Sequence, residues 1–430
     1  MKRFAWIGRQ LVIDLGPLRK SRDLRWLFGG QLVSMLGGQL TMVAVPYQVY
    51  ALTRSSLDVG LISLAQLLPL IVGGLLGGAL ADAVDRRVVL LAAQLVTALC
   101  AVGLAVNADA GTALWPLFAL PAVAVGFAVA GESGLSAMLP NLAGRSEMAT
   151  VNAMFQALMQ LGQVAGPAVA GLLLAGAGVR FVYWLDAASL AVAMLATSLI
   201  GPQPPAGTSD SPGAGLRSIA AGFRHLRGRP IIQGAFLIDI NATVFGMPKA
   251  VFPALASTVF PGGARTLGLL YAAPGAGALL GAVGAGWVHR VRRQGRAVIV
   301  AVIVWGAAIT CFGLTHWLPL ALALLAVAGW ADVISAVFRG TIIQLAVPDA
   351  LRGRLMGVQM AAVTAGPKLG DVESGAVASA FGATTSVVSG GLACVAGALV
   401  LARLLPAFSR QRLPAIADPE DQQHEDLSPR

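Results

Sequence analysis

Apolar residues run along this chain in long stretches, broken at intervals by short segments that carry charge, Gly or Pro. The stretches fall at 26–50, 58–80, 88–107, 114–138, 148–175 and 182–200, and again at 231–256, 268–288, 297–315, 318–338, 355–381 and 384–404. Each comes close to the ~20 apolar residues that a helix needs to cross hydrocarbon. The pattern predicts an all-α membrane protein with twelve transmembrane helices in two six-helix halves, 1–200 and 230–405. The longest break, 201–229, joins the halves. It begins as a Pro/Gly/Ser linker and ends with Leu216, Ile219, Ala220, Phe223 and Leu226 at the spacing of a helix lying on a membrane surface, Arg217 and Arg224 turned toward water or headgroups. The first 25 residues form a basic lead without the small-residue cleavage site of a signal peptide, and 406–430 form a polar tail. The loops Pro140-Asn141-Leu142-Ala143-Gly144-Arg145 and Pro348-Asp349-Ala350-Leu351-Arg352-Gly353-Arg354 repeat one device in the two halves, a Pro and a capping residue ahead of a basic turn.

Composition changes the picture only by excluding alternatives. Of 430 residues, 57% are hydrophobic and 12% charged, against roughly 25% charged in a soluble domain, too few to coat a water-soluble globule. The net charge of +10 invites a nucleic-acid reading, but its placement is that of membrane topology. Of 30 Lys and Arg, 25 fall on the side that holds both termini; Arg54, Arg180 and Arg265 fall on the other, and Lys249 and Lys368 lie inside spans. Both termini are therefore expected in the cytoplasm. Cys100, Cys311 and Cys394 are far apart inside apolar runs, which excludes a disulfide scaffold. His225, His289, His316 and His424 are isolated, and neither a nucleotide-binding loop nor a catalytic constellation is present. No enzyme activity, cofactor or metal is expected.

Two motifs carry the functional reading. Between the second and third spans stands Gly78-Ala79-Leu80-Ala81-Asp82-Ala83-Val84-Asp85-Arg86-Arg87. Gly78 suits close helix approach, Asp82 suits the positive end of a helix from the other half, and Arg86 and Arg87 suit an acidic group such as Glu147. In the fifth span, Gly162, Gly166, Pro167 and Gly171 give a flat, bent face for tight packing.

The first motif resembles the G-x-L-A-D-x-x-x-R-R signature of the major facilitator superfamily, and the second resembles the antiporter motif of its drug/proton exchangers. With Val45-Pro46-Tyr47-Gln48-Val49-Tyr50, Phe252-Pro253-Ala254-Leu255-Ala256 and Leu270-Tyr271-Ala272-Ala273-Pro274-Gly275, the chain is similar over about residues 20–405 to the bacterial enterobactin-exporter branch. The resemblance implies two halves rocking about a midplane site, spans one, four, seven and ten lining the cavity, and a bacterial cytoplasmic membrane as location.

Ionisable groups at membrane depth are functional candidates by default. The cavity-lining spans hold Glu132, Asp239, Lys249 and Asp332. In the first span Gln31, Ser34, Thr41 and Gln48 occupy one polar sector; Asp332, Ser335 and Arg339 repeat the device in the tenth, with Arg339 either functional or snorkelling to the cytoplasm. Asp239, beside Asn241, has no compensating charge on its own helix, since Lys249 is ~15 Å along a continuous helix and on another side of it. A buried carboxyl without a partner exchanges protons readily, so Asp239 is the favoured proton carrier, with Glu132 and Glu373 as rivals. Lys368 and Asp371 are spaced to pair on one face. Asp186 reads as an interfacial residue near a helix end. Asn152, Gln156, Gln160 and Gln163 form a polar seam on the fifth span. The expectation is a monomeric, proton-coupled efflux transporter for a small amphipathic compound, siderophore-like or drug-like, with the bilayer as its surroundings. A lipid exporter or flippase of the same fold is the first alternative; a non-transporting sensor is the second, and it needs no such row of acids.

Overall fold

The computed structural model describes residues 16–111, 113–144, 146–204, 229–346 and 349–411. The surface helix expected at 216–226, residues 1–15 and the tail beyond 411 lie outside the described residues. Helix α1 is Arg22–Thr53, opened by Ser21, whose hydroxyl accepts the Leu24 N–H at 3.2 Å. Helices α2 (Ser56–Ala83) and α3 (Arg86–Ala110) begin on Ser55 and Asp85 in the same way, and α4 (Pro116–Leu142) begins on a proline.

The fifth and sixth expected spans form one hydrogen-bonded element, Met148–Ser198, broken at Gly178, whose φ of 79° and ψ of 174° belong to glycine alone. The arms before and after the break are α5 and α6. The chain reverses there. Gly162 and Gly166 lie against Met35 and Gln39, so α5 runs with α1; Ser189 lies against Gly37 and Ala193 against Gly30, so α6 runs against it.

The second half begins with α7 (Pro230–Phe245). The sequence predicts a continuous span here, but the helix stops at Gly246, makes a single tight turn at Lys249–Val251, and resumes as Phe252–Thr258. Pro248 cannot donate a backbone bond, which ends the ladder. In hydrocarbon the freed carbonyls need partners: Trp305 Nε1 donates to Gly246 O at 2.7 Å and the Tyr271 hydroxyl to Lys249 O at 3.2 Å. Then follow α8 (Gly263–Gly284), α9 (Gln294–Leu314), α10 (Leu318–Ala346), α11 (Asp349–Phe381) and α12 (Ala383–Leu404). Among the described residues ten helices are long and apolar enough to cross a membrane. That count takes Met148–Ser198 once and leaves out the charged α11, so the architecture accords with twelve crossings. The start of the tail is docked: Pro406–Ser409 is helical, and Phe408 is buried against Gly234 and Gly295.

The halves meet along two pairs of helices, α2 with α11 and α5 with α8. Gly60 abuts the backbone of Asp371 and Val372, Gly375 abuts Ser56 and Leu57, Gly171 faces Gly268, and Gly275 faces the Gln163 carbonyl. The first three of these contacts lie toward the Arg-poor end, with the loops at 54–55 and 259–262, and Gly275 meets Gln163 near mid-helix. A side chain in such a contact must part the backbones. Gly60→Leu and Gly268→Leu are therefore expected to open this end. In a Cys311→Ser background, Cys100, which faces the space between the halves, should gain labelling by an impermeant maleimide from the Arg-poor side; unchanged labelling would count against these contacts as the closure.

Candidate substrate cavity and its charged walls

A cavity of about 430 Å³ lies between the halves. Most of its wall is apolar and comes from the first half: Met42, Val45 and Pro46 of α1, Ile62 of α2, Leu104 of α3 and Val125 of α4. Its polar groups are few and come from both halves: Thr41, Ser63, Gln66, Thr97 and Asp186 from the first, and Lys249, Tyr271, Lys368 and Asp371 from the second. An apolar pocket with a handful of convergent polar groups is the usual form of a small-molecule site.

The sequence-predicted residues divide between this cavity and the walls behind it. Thr41 and Lys249 line it directly. Ser34 and Gln31 continue the face of Gly38 and Thr41 by one and two turns toward the Arg-rich end. Glu132, exposed, stands one turn beyond Ala128 on the cavity face of α4. Gln48 and Asn241 do not reach the cavity. Gln48 is buried and accepts the Tyr183 hydroxyl of α6 at 2.7 Å; Asn241 is buried and donates to the Cys394 carbonyl of α12 at 2.8 Å. Both amides are spent on holding neighbouring helices within one half.

Asp239 is not uncompensated. Arg339 of α10 reaches it at 2.6 Å, and both side chains are only 8% exposed. Arg339 also donates to Ser335 Oγ at 2.9 Å. The row Asp332, Ser335, Arg339 thus serves to deliver a cation to α7, and Arg339 points inward instead of snorkelling. Asp332, partly exposed, stands within electrostatic reach of Arg339, Asp239 and Lys249. Because α7 breaks at Gly246, the separation of Asp239 and Lys249 is not that of a continuous helix, and Lys249 sits on the unwound turn facing the cavity.

Lys368 and Asp371 make no ion pair with each other. Each reaches across to α2: Lys368 Nζ donates to Gln66 Oε1, and Asp371 Oδ2 accepts from Ser63 Oγ at 2.6 Å. The backbone N–H of Leu57 donates to Ser379 Oγ at 3.0 Å further along the same seam. Glu373, half-buried, forms no ion pair among the described residues.

Asp186 is the cavity residue most clearly misplaced by sequence reasoning. It is 3% exposed and lies two turns inside α6, its carboxylate accepting from Thr41 Oγ1 at 2.5 Å. Its distance from Gly178 was the available signal, since eight helical residues advance ~12 Å.

Residues 13–429 match the family described as transmembrane secretion effector. The chain belongs to this family. Enterobactin exporter EntS of Citrobacter koseri is 31% identical over 416 residues, covering 96% of this chain and 98% of that one. EntS of Escherichia coli O1:K1 is 31% identical over 407 residues, with 94% and 95% covered. Among solved structures, a POT peptide transporter superposes with a TM-score of 0.74 at 12% identity, covering 91% of this chain and 96% of that one. The nucleoside transporter NupG gives 0.72 at 15% identity over 91% and 100%, and a D-xylose–proton symporter 0.67 at 17% over 91% and 99%. The chain is thus a multi-pass membrane transporter with the major facilitator fold, not an enzyme.

Its signature loop is arranged differently from the expectation. Gly78 faces open space, and the close approaches fall at Gly73 against Gly126 and Gly77 against Ala130. Arg86 is buried and caps helix ends, donating to Ala81 O at 3.4 Å and Ala137 O at 2.9 Å; Arg87 donates to Ser198 O. Cations suit those carbonyl-rich C-termini, so neither arginine pairs with Glu147, which takes Lys20 at 2.6 Å. Asp82 is exposed. In the antiporter-like stretch, Gly162 and Gly166 pack on α1, while the Pro167 carbonyl and Gly171 meet Gly268 of α8.

Removing one partner of a buried ion pair leaves the other charge stranded. Arg339→Met alone is expected to destabilise the protein by about 3–5 kcal/mol, read as a fall in unfolding temperature in detergent. The double variant Asp239→Asn with Arg339→Met should recover most of that loss.

Proposed function

We propose that this protein exports a small amphipathic, siderophore-like compound across the bacterial cytoplasmic membrane by alternating access, in exchange for protons. The cavity carries the reading: an apolar chamber between the two halves, with a few charged groups from each, and helix contacts gathered mostly at one end. The EntS relatives, alike over nearly the whole length, support the siderophore-like class. Lys249 and Lys368 suit the acidic oxygens of such a compound, and the α1–α4 wall suits its apolar body. The excess of Arg on the opposite end supports a cytoplasmic location for that end and for both termini. In that orientation the contacts close the chamber to the outside, and the polar face of Gln31, Ser34 and Glu132 leads in from the cytoplasm.

Within this cycle Asp82, exposed in the present state, meets a helix end of the second half when the cytoplasmic side closes. Proton exchange requires carboxyls that no fixed cation holds. Asp239 fails that condition because of Arg339, whereas Glu132 and Glu373 meet it.

The test is transport of enterobactin by the purified protein in proteoliposomes, with and without an imposed pH gradient. Accumulation driven by the gradient is expected. Lys249→Gln should weaken it by about tenfold, the loss of one charge-assisted contact, and Asp82→Asn should slow cycling while leaving enterobactin binding intact. Transport that ignores the pH gradient would overturn proton coupling, and absence of transport would overturn the substrate class.

A further inference from the structure

We infer that Asp186 is the group that takes up and releases the coupling proton. The inference rests on the proton-exchange reading above and assigns that exchange to a residue outside the acids the sequence singled out. Asp186 combines two properties: it lines the cavity and is all but closed off within α6 and α1. Gly37 makes the site possible, because any side chain there would run into Ser189 Oγ and Asp186 Oδ1.

Among the described residues, the carboxylate of Asp186 is held by hydroxyls and forms no ion pair. Oδ2 accepts from Thr41 Oγ1 at 2.5 Å, and Oδ1 has only a long 3.5 Å contact with Ser189 Oγ, whose shorter bond, 2.7 Å, goes to the Asp186 carbonyl. On its own helix the nearest titratable group is Tyr183, whose hydroxyl is committed to Gln48. From α3 the Cys100 thiol faces the same cavity, and across it stand Lys249, Lys368, Asp371 and Tyr271, whose hydroxyl is committed to Lys249 O. None of these forms an ion pair with Asp186 among the described residues.

Comparison with the other buried acids decides the assignment. A guanidinium only donates, so a proton on Asp239 would strand buried Arg339. Asp371 shares its surroundings with Lys368 and Lys249, and a proton on it would leave those ammonium groups unbalanced. Asp332 likewise shares its surroundings with Arg339 and Lys249, and Glu132, exposed, and Glu373, half-buried, lack the enclosure of Asp186, whose carboxylate is held by hydroxyls that work in both charge states. A hydroxyl donates to a carboxylate and accepts from a carboxylic acid, so Thr41 turns over and nothing is stranded. In uptake one O–H bond forms at Oδ2 as a hydronium in the cavity gives up its proton and becomes water, leaving a neutral acid that donates to Thr41 Oγ1. In release that bond breaks and the proton returns to water on the other side.

Asp186→Asn fixes the neutral form and keeps the contact with Thr41; Asp186→Glu keeps a titratable carboxyl. In proteoliposomes with enterobactin as probe, Asp186→Asn should retain counterflow, while pH-driven accumulation falls by about tenfold or more, the size of a coupling free energy. Asp186→Glu should restore part of that accumulation. Infrared difference spectra of the purified full chain between acid and alkaline buffer should lose one carboxylic-acid band in Asp186→Asn and keep it in Glu132→Gln and Glu373→Gln. If Asp186→Asn does not reach the membrane, Asp186→Ser carries the same comparison. Gradient-driven accumulation that survives in Asp186→Asn overturns the assignment, as does an unchanged infrared difference or a parallel loss of counterflow in the Asn and Glu variants, which would mark a structural role. A wild-type protein indifferent to the gradient overturns proton coupling as a whole, a result separate from any of these.

Discussion

Two helices can touch backbone to backbone only where no side chain stands between them, and the placement of such contacts shapes this molecule. Gly60 and Gly375 bring α2 and α11 together; Gly171, Gly268 and Gly275 do the same for α5 and α8. Association in lipid has little hydrophobic drive and relies on packing of this kind. Because the contacts gather mostly at one end, the space left between the halves becomes a chamber and not a cleft running through the bundle.

The charged groups then sort by what surrounds them. Behind the chamber wall, Asp239 and Arg339 neutralise each other and bind α7 to α10, which turns two costly residues into a brace. On the wall itself the charges are held loosely, by the hydroxyls of Thr41 and Ser63 and the amide of Gln66. The unwound turn at Lys249 belongs with these. Its carbonyls are held by Trp305 and Tyr271 from neighbouring helices, so the lysine is presented to the chamber without exposing bare backbone to hydrocarbon.

Much of the architecture was legible in the sequence, because hydrocarbon thickness sets the length of each apolar run. The break in α7 was not, since the run from 231 to 256 has the length and the overall hydropathy of a single span; Gly246 and Pro248 were the available signs. The site was read less well. Helical spacing tells which residues share a face, but not what the facing helix offers. Lys368 and Asp371 have the spacing of a pair, yet Ser63 and Gln66 of α2 outbid each for the other. Gln48 and Asn241 have the polarity of cavity residues, but Tyr183 and the Cys394 carbonyl claim them. Asp239 looks solitary only while α10 is out of view. The spacing of Asp332, Ser335 and Arg339 shows that they share a face of α10, but that this face meets Asp239 required the third dimension.

The seam between α2 and α11 has a bearing on speed. No direct ion pair crosses it in the described residues; it is made of hydrogen bonds from Ser63, the Leu57 backbone and Lys368, together with glycine contacts. Water can replace such bonds nearly one for one, so each contributes only about 0.5–1.5 kcal/mol net, rather more where a charge takes part. A joint of this kind is firm enough to hold one state and weak enough that the alternative lies within a few kcal/mol, where both are populated. A tighter seam would give a more stable protein that turned over slowly. For the alternating-access cycle proposed above, the polar, unpaired character of this seam is the property that suits opening and closing at the same place on every turn.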